Sequence, residues 1–335
     1  MRSMIAMKVR HVLGMILLCA LPVGAFAEPE PETDAPSAPP AAQDPLAWLD
    51  RIATASQNLN YVGTFTYQSG RRIETSRIVH RVLNGEESER LEVLDGSPRE
   101  VVRKGGEVRC VLPAQRTIII GRVGARPGFP GRLMQSYAAL AGIYDVRLGE
   151  PGRIAGHEAQ KVILTPRDGL RFGHVMWVEI SRGLLLKSQV IDANDEVIEQ
   201  FAFNDVKFDG DIPDDQLVER AVPSADWRVV DAGGDDVKPV DDRWRLREPL
   251  PGFALVTKAH QRSGGAVHLV FSDGLATISI FIEEAEEGAE ARGSFPGGGA
   301  VNAFERIVDG RRITALGEVP PQAVRQVAEV VEEVK

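Results

Sequence analysis

The chain has almost no cysteine. Only Cys19 and Cys110 occur in 335 residues, and Cys19 lies in an N-terminal stretch expected to be removed. The remaining thiol has no partner, which excludes an intramolecular disulfide. Val108, Cys110 and Leu112 alternate along one face of a strand pattern, so Cys110 is expected to be a small core residue rather than a nucleophile. Positive charge is also short. The formal net charge is −9, an imbalance that repels phosphate backbones and argues against nucleic acid as a partner. No Gly-x-Ser-x-Gly elbow is present, and no glycine-rich phosphate loop opens a helix. Beyond the N-terminus, no apolar run approaches the roughly 20 residues of a membrane-spanning helix.

The N-terminus itself carries a secretory pattern. Lys8 and Arg10 precede the apolar "VLGMILLCALPVG", and "AFA" at Ala25–Ala27 supplies a small-x-small cleavage signal before Glu28. Residues 1–27 are therefore read as a signal peptide cleaved after Ala27, which exports the mature chain. Leu18 before Cys19 is not the small residue that a lipid-modified cysteine wants, so the lipoprotein reading is rejected. Losing Arg2, Lys8 and Arg10 leaves the mature chain at about −12.

Residues 28–43, rich in Pro, Ala and acid, read as a disordered tether. Asp44 then caps a helix with Pro45 at its first position, and Leu46, Leu49, Ile52 and Ala53 recur at helical spacing. From Tyr61 the period changes to two. "YVGTFTYQSG", "RIETSRIVHRVL", "ERLEVLDGSPREVVRKGGEVRC" and "QRTIIIG" supply consecutive strands, with "DGSP" and Gly105–Gly106 as turns. "RVGARPGFPGR" is too rich in Gly and Pro for regular structure, and "LMQSYAALAGIY" reads as a short helix. Four more strands run from His157 to Phe208 without a helix of crossover length between them, so the sheet is expected to be antiparallel. The fold class is β-rich α+β: a large curved antiparallel sheet over residues 44–208, with helices on its concave side.

Residues 209–243, dense in Asp, Pro and Gly, read as a linker with one short helix at "PDDQLVER"; its composition suggests a hinge. A smaller α+β domain follows over residues 244–335. Its hairpins turn at Gly264–Gly265, Asp273–Gly274 and Asp309–Gly310, "GAEARGSFPGGG" reads as loose, and "PPQAVRQVAEVVEEV" closes the chain as an amphipathic helix. "SDGLA" (Ser272–Ala276) reads as a tight turn that serves the fold.

Chemistry is hard to find. His260 and His268 flank a turn, but two histidines without a third ligand nearby make a weak metal signal; no metal, cofactor or catalytic residue is expected. Glu89, Glu92 and Glu100 are interleaved with Arg90, Arg99 and Arg103, which cross-strand ion pairing on a solvated sheet face explains. Some strands are apolar on both faces, which fits a sheet wrapped around apolar matter. Phe65, Tyr67, Met176, Val178, Leu186 and Phe203 are the candidate lipid contacts, although alternation does not separate a ligand from the protein's own helices.

"LNYVGTFTYQSG", "RIVHR", "ERLEVLDGSPREVVRKGGEVRCVLP", "HVMWVEISRGLLLKSQVID" and "EQFAF" resemble the N-terminal domain of the MucB/RseB family of sigma-E regulatory proteins. "LVFSDGLATISIFIE" and "LGEVP" resemble that family's C-terminal domain. The likeness spans nearly the whole mature chain, in order. It implies a lipoprotein-carrier-like larger domain and a periplasmic negative regulator of an envelope stress response. Such a regulator binds the periplasmic part of a membrane anti-sigma factor, shields it from regulated proteolysis and is released by lipid or lipopolysaccharide-like signals. Arg90, Arg99 and Arg103 would then be partner contacts, exposed charges that set register. A periplasmic lipid or lipoprotein carrier stays open as an alternative, and so does homo-oligomerisation.

Overall fold

The computed structural model describes residues 44–122, 138–221, 224–231, 243–260 and 266–334. The expected signal peptide, the tether, the first part of the "LMQSYAALAGIY" helix and the Gly264–Gly265 turn lie outside these residues. Helix α1 (Pro45–Asn58) starts as its sequence requires: the Asp44 carboxylate accepts from the Leu46 N–H at 3.0 Å, and Pro45 occupies the first turn.

Strands β1 (Tyr61–Ser69), β2 (Arg72–Leu83), β3 (Glu86–Val93), β4 (Glu100–Lys104), β5 (Glu107–Leu112) and β6 (Thr117–Arg122) form one antiparallel meander. Gly105 and Gly106, at φ +57° and +82°, give the β4–β5 hairpin the left-handed turn that matches strand twist. After a 3-10 turn at Ala138–Gly142 come β7 (Tyr144–Leu148), β8 (Gly152–Ile154), β9 (His157–Pro166), β10 (Gly173–Glu179), β11 (Leu185–Ile191) and β12 (Val197–Phe208). Strand β12 returns to pair with β1, which fuses both runs into a single sheet. At the far edge of the sheet, β13 (Arg228–Asp231) joins β6. This pair is parallel, the one departure from the expected antiparallel order among the described strands. The sheet has 13 strands, in the order β13-β6-β5-β4-β3-β2-β1-β12-β11-β10-β9-β7 with β8 beside β9.

The face under α1 is filled by Trp48, Leu49 and Ile52, which pack on Leu140, Tyr144, Val162, Leu164, Met176, Val178 and Leu185. Cys110 is only half-buried, whereas its neighbour Val111 is wholly enclosed. The core face of β5 is thus the other one, because the register opposes Val111 to Ile118 and Glu100 and leaves Cys110 beside Val101 and Ile119. Burial pushes the Cys110 thiol up, against the attraction of Arg99, so it is not an activated nucleophile.

The smaller part holds β14 (Trp244–Leu246), β15 (Ala254–His260), β16 (Val267–Ser272), β17 (Thr277–Glu284), β18 (Gly293–Gly298), β19 (Val301–Val308), β20 (Arg311–Gly317), α2 (Pro321–Val330) and β21 (Val331–Glu333). Six of these strands form a sheet in the order β15-β16-β17-β20-β19-β18. Ala323, Val324, Val327 and Ala328 of α2 seal its core against Ile278, Ile280, Ile313 and Ala315. Two details differ from expectation. The closing helix ends at Val330, and Val331–Glu333 pair with β14 instead, Glu333 opposite Trp244 and Val331 opposite Leu246. The Gly/Pro-rich "GSFPGG" is also a strand, but an edge one, where Pro296 needs no ladder partner on its outer side. No helix among the described residues is long and apolar enough to cross a membrane.

Candidate functional site

Register decides which apolar side chains share a face, because residues directly opposite on neighbouring strands point the same way. Tyr67 opposes Phe201, Phe201 opposes Ser188, Ser188 opposes Met176, and Met176 opposes Val162. Phe65, Phe203 and Val178 lie two residues along from members of that row. Five of the six candidate lipid contacts therefore occupy one continuous face, and Leu186 joins it at the bulge between Trp177 and Val178. The face is closed in this conformation. Phe65, Met176, Val178, Leu186 and Phe203 are all buried, Met176 and Val178 beneath α1. Phe65, Phe201 and Phe203 pack mutually with ring centroids 4.9 to 6.1 Å apart.

The charged ribbon of β3–β5 is cross-strand paired, yet it is not a solvated face throughout. Arg90 is only 1% exposed and reaches Glu92 at 2.8 Å and Glu100 at 3.1 Å. Residues 209–221 roof it. Ile212 and Leu217 pack on Val79, the backbone N–H groups of Arg220 and Ala221 donate to the Glu100 carboxylate, and Arg109 pairs with Glu219 at 2.9 Å. Arg99 pairs with Glu74 at 2.7 Å and Arg103 with Glu89 at 3.1 Å, both partly exposed. Alternation could not reveal the roof, since it reports a strand's two faces but not which distant segment crosses one of them.

Side chains that sequence reasoning missed hold the large sheet to the small one. Arg171, between β9 and β10, donates from Nε to Asp273 Oδ2 at 2.7 Å, and both side chains are fully buried. Its other nitrogens bind Asp168 and, at 2.7 Å, the Pro251 carbonyl, and its guanidinium lies 4.7 Å from the Phe253 ring centroid. Asp273 also organises its own loop, because Oδ1 accepts from the N–H groups of Leu275 at 2.9 Å and Ala276 at 2.7 Å. "SDGLA" is thus both a turn and the anchor of this junction. Beside it, burial holds His174 down at about 4, against the attraction of Asp273.

A second tie involves Tyr67, the sixth candidate contact. Its hydroxyl donates to Glu199 Oε2 at 3.0 Å, while Glu199 Oε1 accepts from Ser69 at 2.8 Å and from the Ala300 N–H at 2.9 Å. The loop before β19 approaches so closely that a Cβ on Gly299, at φ +56°, would lie 1.9 Å from Ser69 Oγ. Gln322 of α2 adds a bond to the Gly169 carbonyl at 2.6 Å.

Residues 44–221 match the MucB/RseB N-terminal domain, and residues 238–332 match the MucB/RseB C-terminal domain. The chain belongs to the MucB/RseB family. The sigma factor AlgU regulatory protein MucB of Pseudomonas aeruginosa is 32% identical over 296 residues, covering 86% of this chain and 90% of that protein. The sigma-E factor regulatory protein RseB of Salmonella typhimurium is 26% identical over 298 residues, 86% of this chain and 91% of its own length. Among solved structures, MucB in complex with MucA(peri) superposes with a TM-score of 0.67 at 29% identity, over 87% of this chain and all of that one. The MucB/RseB assignment thus extends over both sheets and both junctions described above.

Proposed function

We infer that this chain is a periplasmic negative regulator of a sigma-E-type stress response, exported by its signal peptide. It binds the periplasmic part of a membrane anti-sigma factor and shields that segment from the first regulatory protease. The supporting observation is similarity over 87% of this chain to a MucB whose structure includes MucA(peri), across both sheets rather than one domain. The chain works by binding, with no reaction of its own and no cofactor for one. Arg99 and Arg103, partly exposed on the ribbon, contact the partner, whereas Arg90 points to the opposite face of the sheet, beneath residues 209–221, and stays out of that contact. A lipid-like signal enters the apolar face by displacing α1, and the Phe65, Phe201, Phe203, Met176 and Val178 side chains of that face favour acyl chains as its chemistry.

The test is a protection assay. The anti-sigma factor's periplasmic segment is exposed to its regulatory protease with and without the mature chain. Slower cleavage, restored by an added amphiphile, is the expected result; an unchanged cleavage rate overturns the reading. That same apolar row favours the second reading, a lipid or lipoprotein carrier, which predicts lipid binding with no protection of the segment at all.

A further inference from the structure

The ribbon carries a group that neither junction nor the apolar face uses. His80 on β2 opposes Glu89 on β3, and Glu87 lies two residues along β3, so all three side chains share one face. Their donor atoms lie within 4.8 Å of one another. His80 is 1% exposed and Glu89 3%, while Glu87 opens partly to solvent. Tyr61 stacks on the imidazole with centroids 5.0 Å apart, which fixes the ring plane.

The two ring nitrogens have different surroundings. Nδ1 lies 2.7 Å from the Leu59 carbonyl oxygen, which accepts only from a protonated nitrogen. In the neutral ring Nε2 is therefore a lone pair, and it faces Glu87 Oε1 at 3.4 Å. That contact is held either by a proton on Nε2 or by a metal cation shared between the two atoms. A tetrahedral zinc with bonds of roughly 2.0–2.1 Å sets neighbouring donor atoms about 3.3 Å apart, close to this spacing. The outer contacts suit a metal as well. The Leu59 carbonyl orients the histidine, and Arg103 holds Glu89 Oε1 at 3.1 Å, which fixes that carboxylate beside the imidazole.

We propose that His80, Glu87 and Glu89 form a divalent-cation site, with zinc the preferred ion. One imidazole nitrogen and two carboxylates are donors of the kind zinc accepts, and three protein ligands leave a fourth position for water. Leu59 is the C-cap residue of α1, whose own N–H bonds back to the Ala55 carbonyl. A metal on Nε2 polarises the imidazole and strengthens the Nδ1–H bond to Leu59. The site thus fastens the end of the helix that covers the apolar face. Acid opposes the metal, because the carboxylates also favour a proton on Nε2.

The test uses the mature full chain, freed of metal with a chelator and titrated with zinc chloride by calorimetry. Cobalt absorption spectra and hydrogen exchange across α1 are recorded in parallel. One saturable site is expected, together with slower exchange at the C-terminal end of α1. Glu87→Gln alters a partly exposed side chain and should leave the fold intact while weakening zinc by about tenfold or more. His80→Gln should abolish binding. The proposal is overturned if wild-type protein takes up no zinc and His80 merely titrates as an imidazolium by NMR. It is equally overturned if Glu87→Gln and His80→Gln both bind as tightly as wild type, which places the ion elsewhere.

Discussion

Asp273→Asn isolates one charge at the main junction while keeping the shape of the side chain. The amide oxygen can still accept from the N–H groups of Leu275 and Ala276, so the turn survives. What disappears is the anion 2.7 Å from Arg171 Nε, in a place where both side chains are fully buried. Two unit charges about 4 Å apart are worth about 4 kcal/mol at an effective dielectric near 20. Stripping one member from a buried pair costs roughly 3–5 kcal/mol, because the other charge stays desolvated. Asp168 remains against Arg171 and offsets part of this, which sets the expected loss at about 2–3 kcal/mol. Asp273→Ala should lose roughly 1–2 kcal/mol more, because two backbone donors lose their acceptor. Urea denaturation followed by tryptophan fluorescence reads both. The double variant Arg171→Met with Asp273→Asn should recover only part of the loss, because the stranded charge is gone while Asp168 and the Pro251 carbonyl lose their partner. If Asp273→Asn alone stays within about 0.5 kcal/mol of wild type, like an ordinary surface change, the junction does not work as described.

Three further outcomes follow from the same geometry. His174 is held at about 4 against an ordinary 6.5, so its contribution is complete above 6.5 and is lost as pH falls toward 4, where the unfolded chain takes up the proton first. His174→Phe should flatten the stability profile in that window by about 2 kcal/mol after allowance for partial exposure, and parallel curves for the two proteins would contradict this. Gly299→Ala places a Cβ against Ser69 and Glu199 at positive φ; a loss of about 2 kcal/mol is expected, with faster exchange of the Ala300 amide, and an unaltered amide would count against the second tie. Trp48→Ala removes a 2% exposed ring from beneath α1 and should cost about 3–5 kcal/mol in thermal or chemical unfolding.

Local signals were legible where the physics is local. Asp44-Pro45 and a helical period announced α1, and Gly105–Gly106 announced a hairpin, because caps and primed turns depend on adjacent residues. Strand periodicity also allowed Phe65, Tyr67, Met176, Val178, Leu186 and Phe203 to face inward, without naming what they meet there. Long-range geometry was not legible. Arg171 and Asp273 are 102 residues apart, and neither "LRFG" nor "SDGLA" names its partner. Arg90 read as solvated because only the three-dimensional path of residues 209–221 puts a roof over it. The pairing of Val331–Glu333 with β14 likewise depends on a distant strand, which overrode a helical pattern continuing past Val330. The His80 cluster was hidden for a related reason: its members sit on two strands whose register, not their spacing in the chain, brings them together.

The most direct test of the regulator reading is calorimetric titration of the mature, lipid-free chain with the periplasmic segment of its own anti-sigma factor. The expected result is saturable one-site binding that an added amphiphile weakens. A folded, lipid-free protein that gives no binding heat and no co-migration with the segment would contradict it and leave the carrier reading in its place.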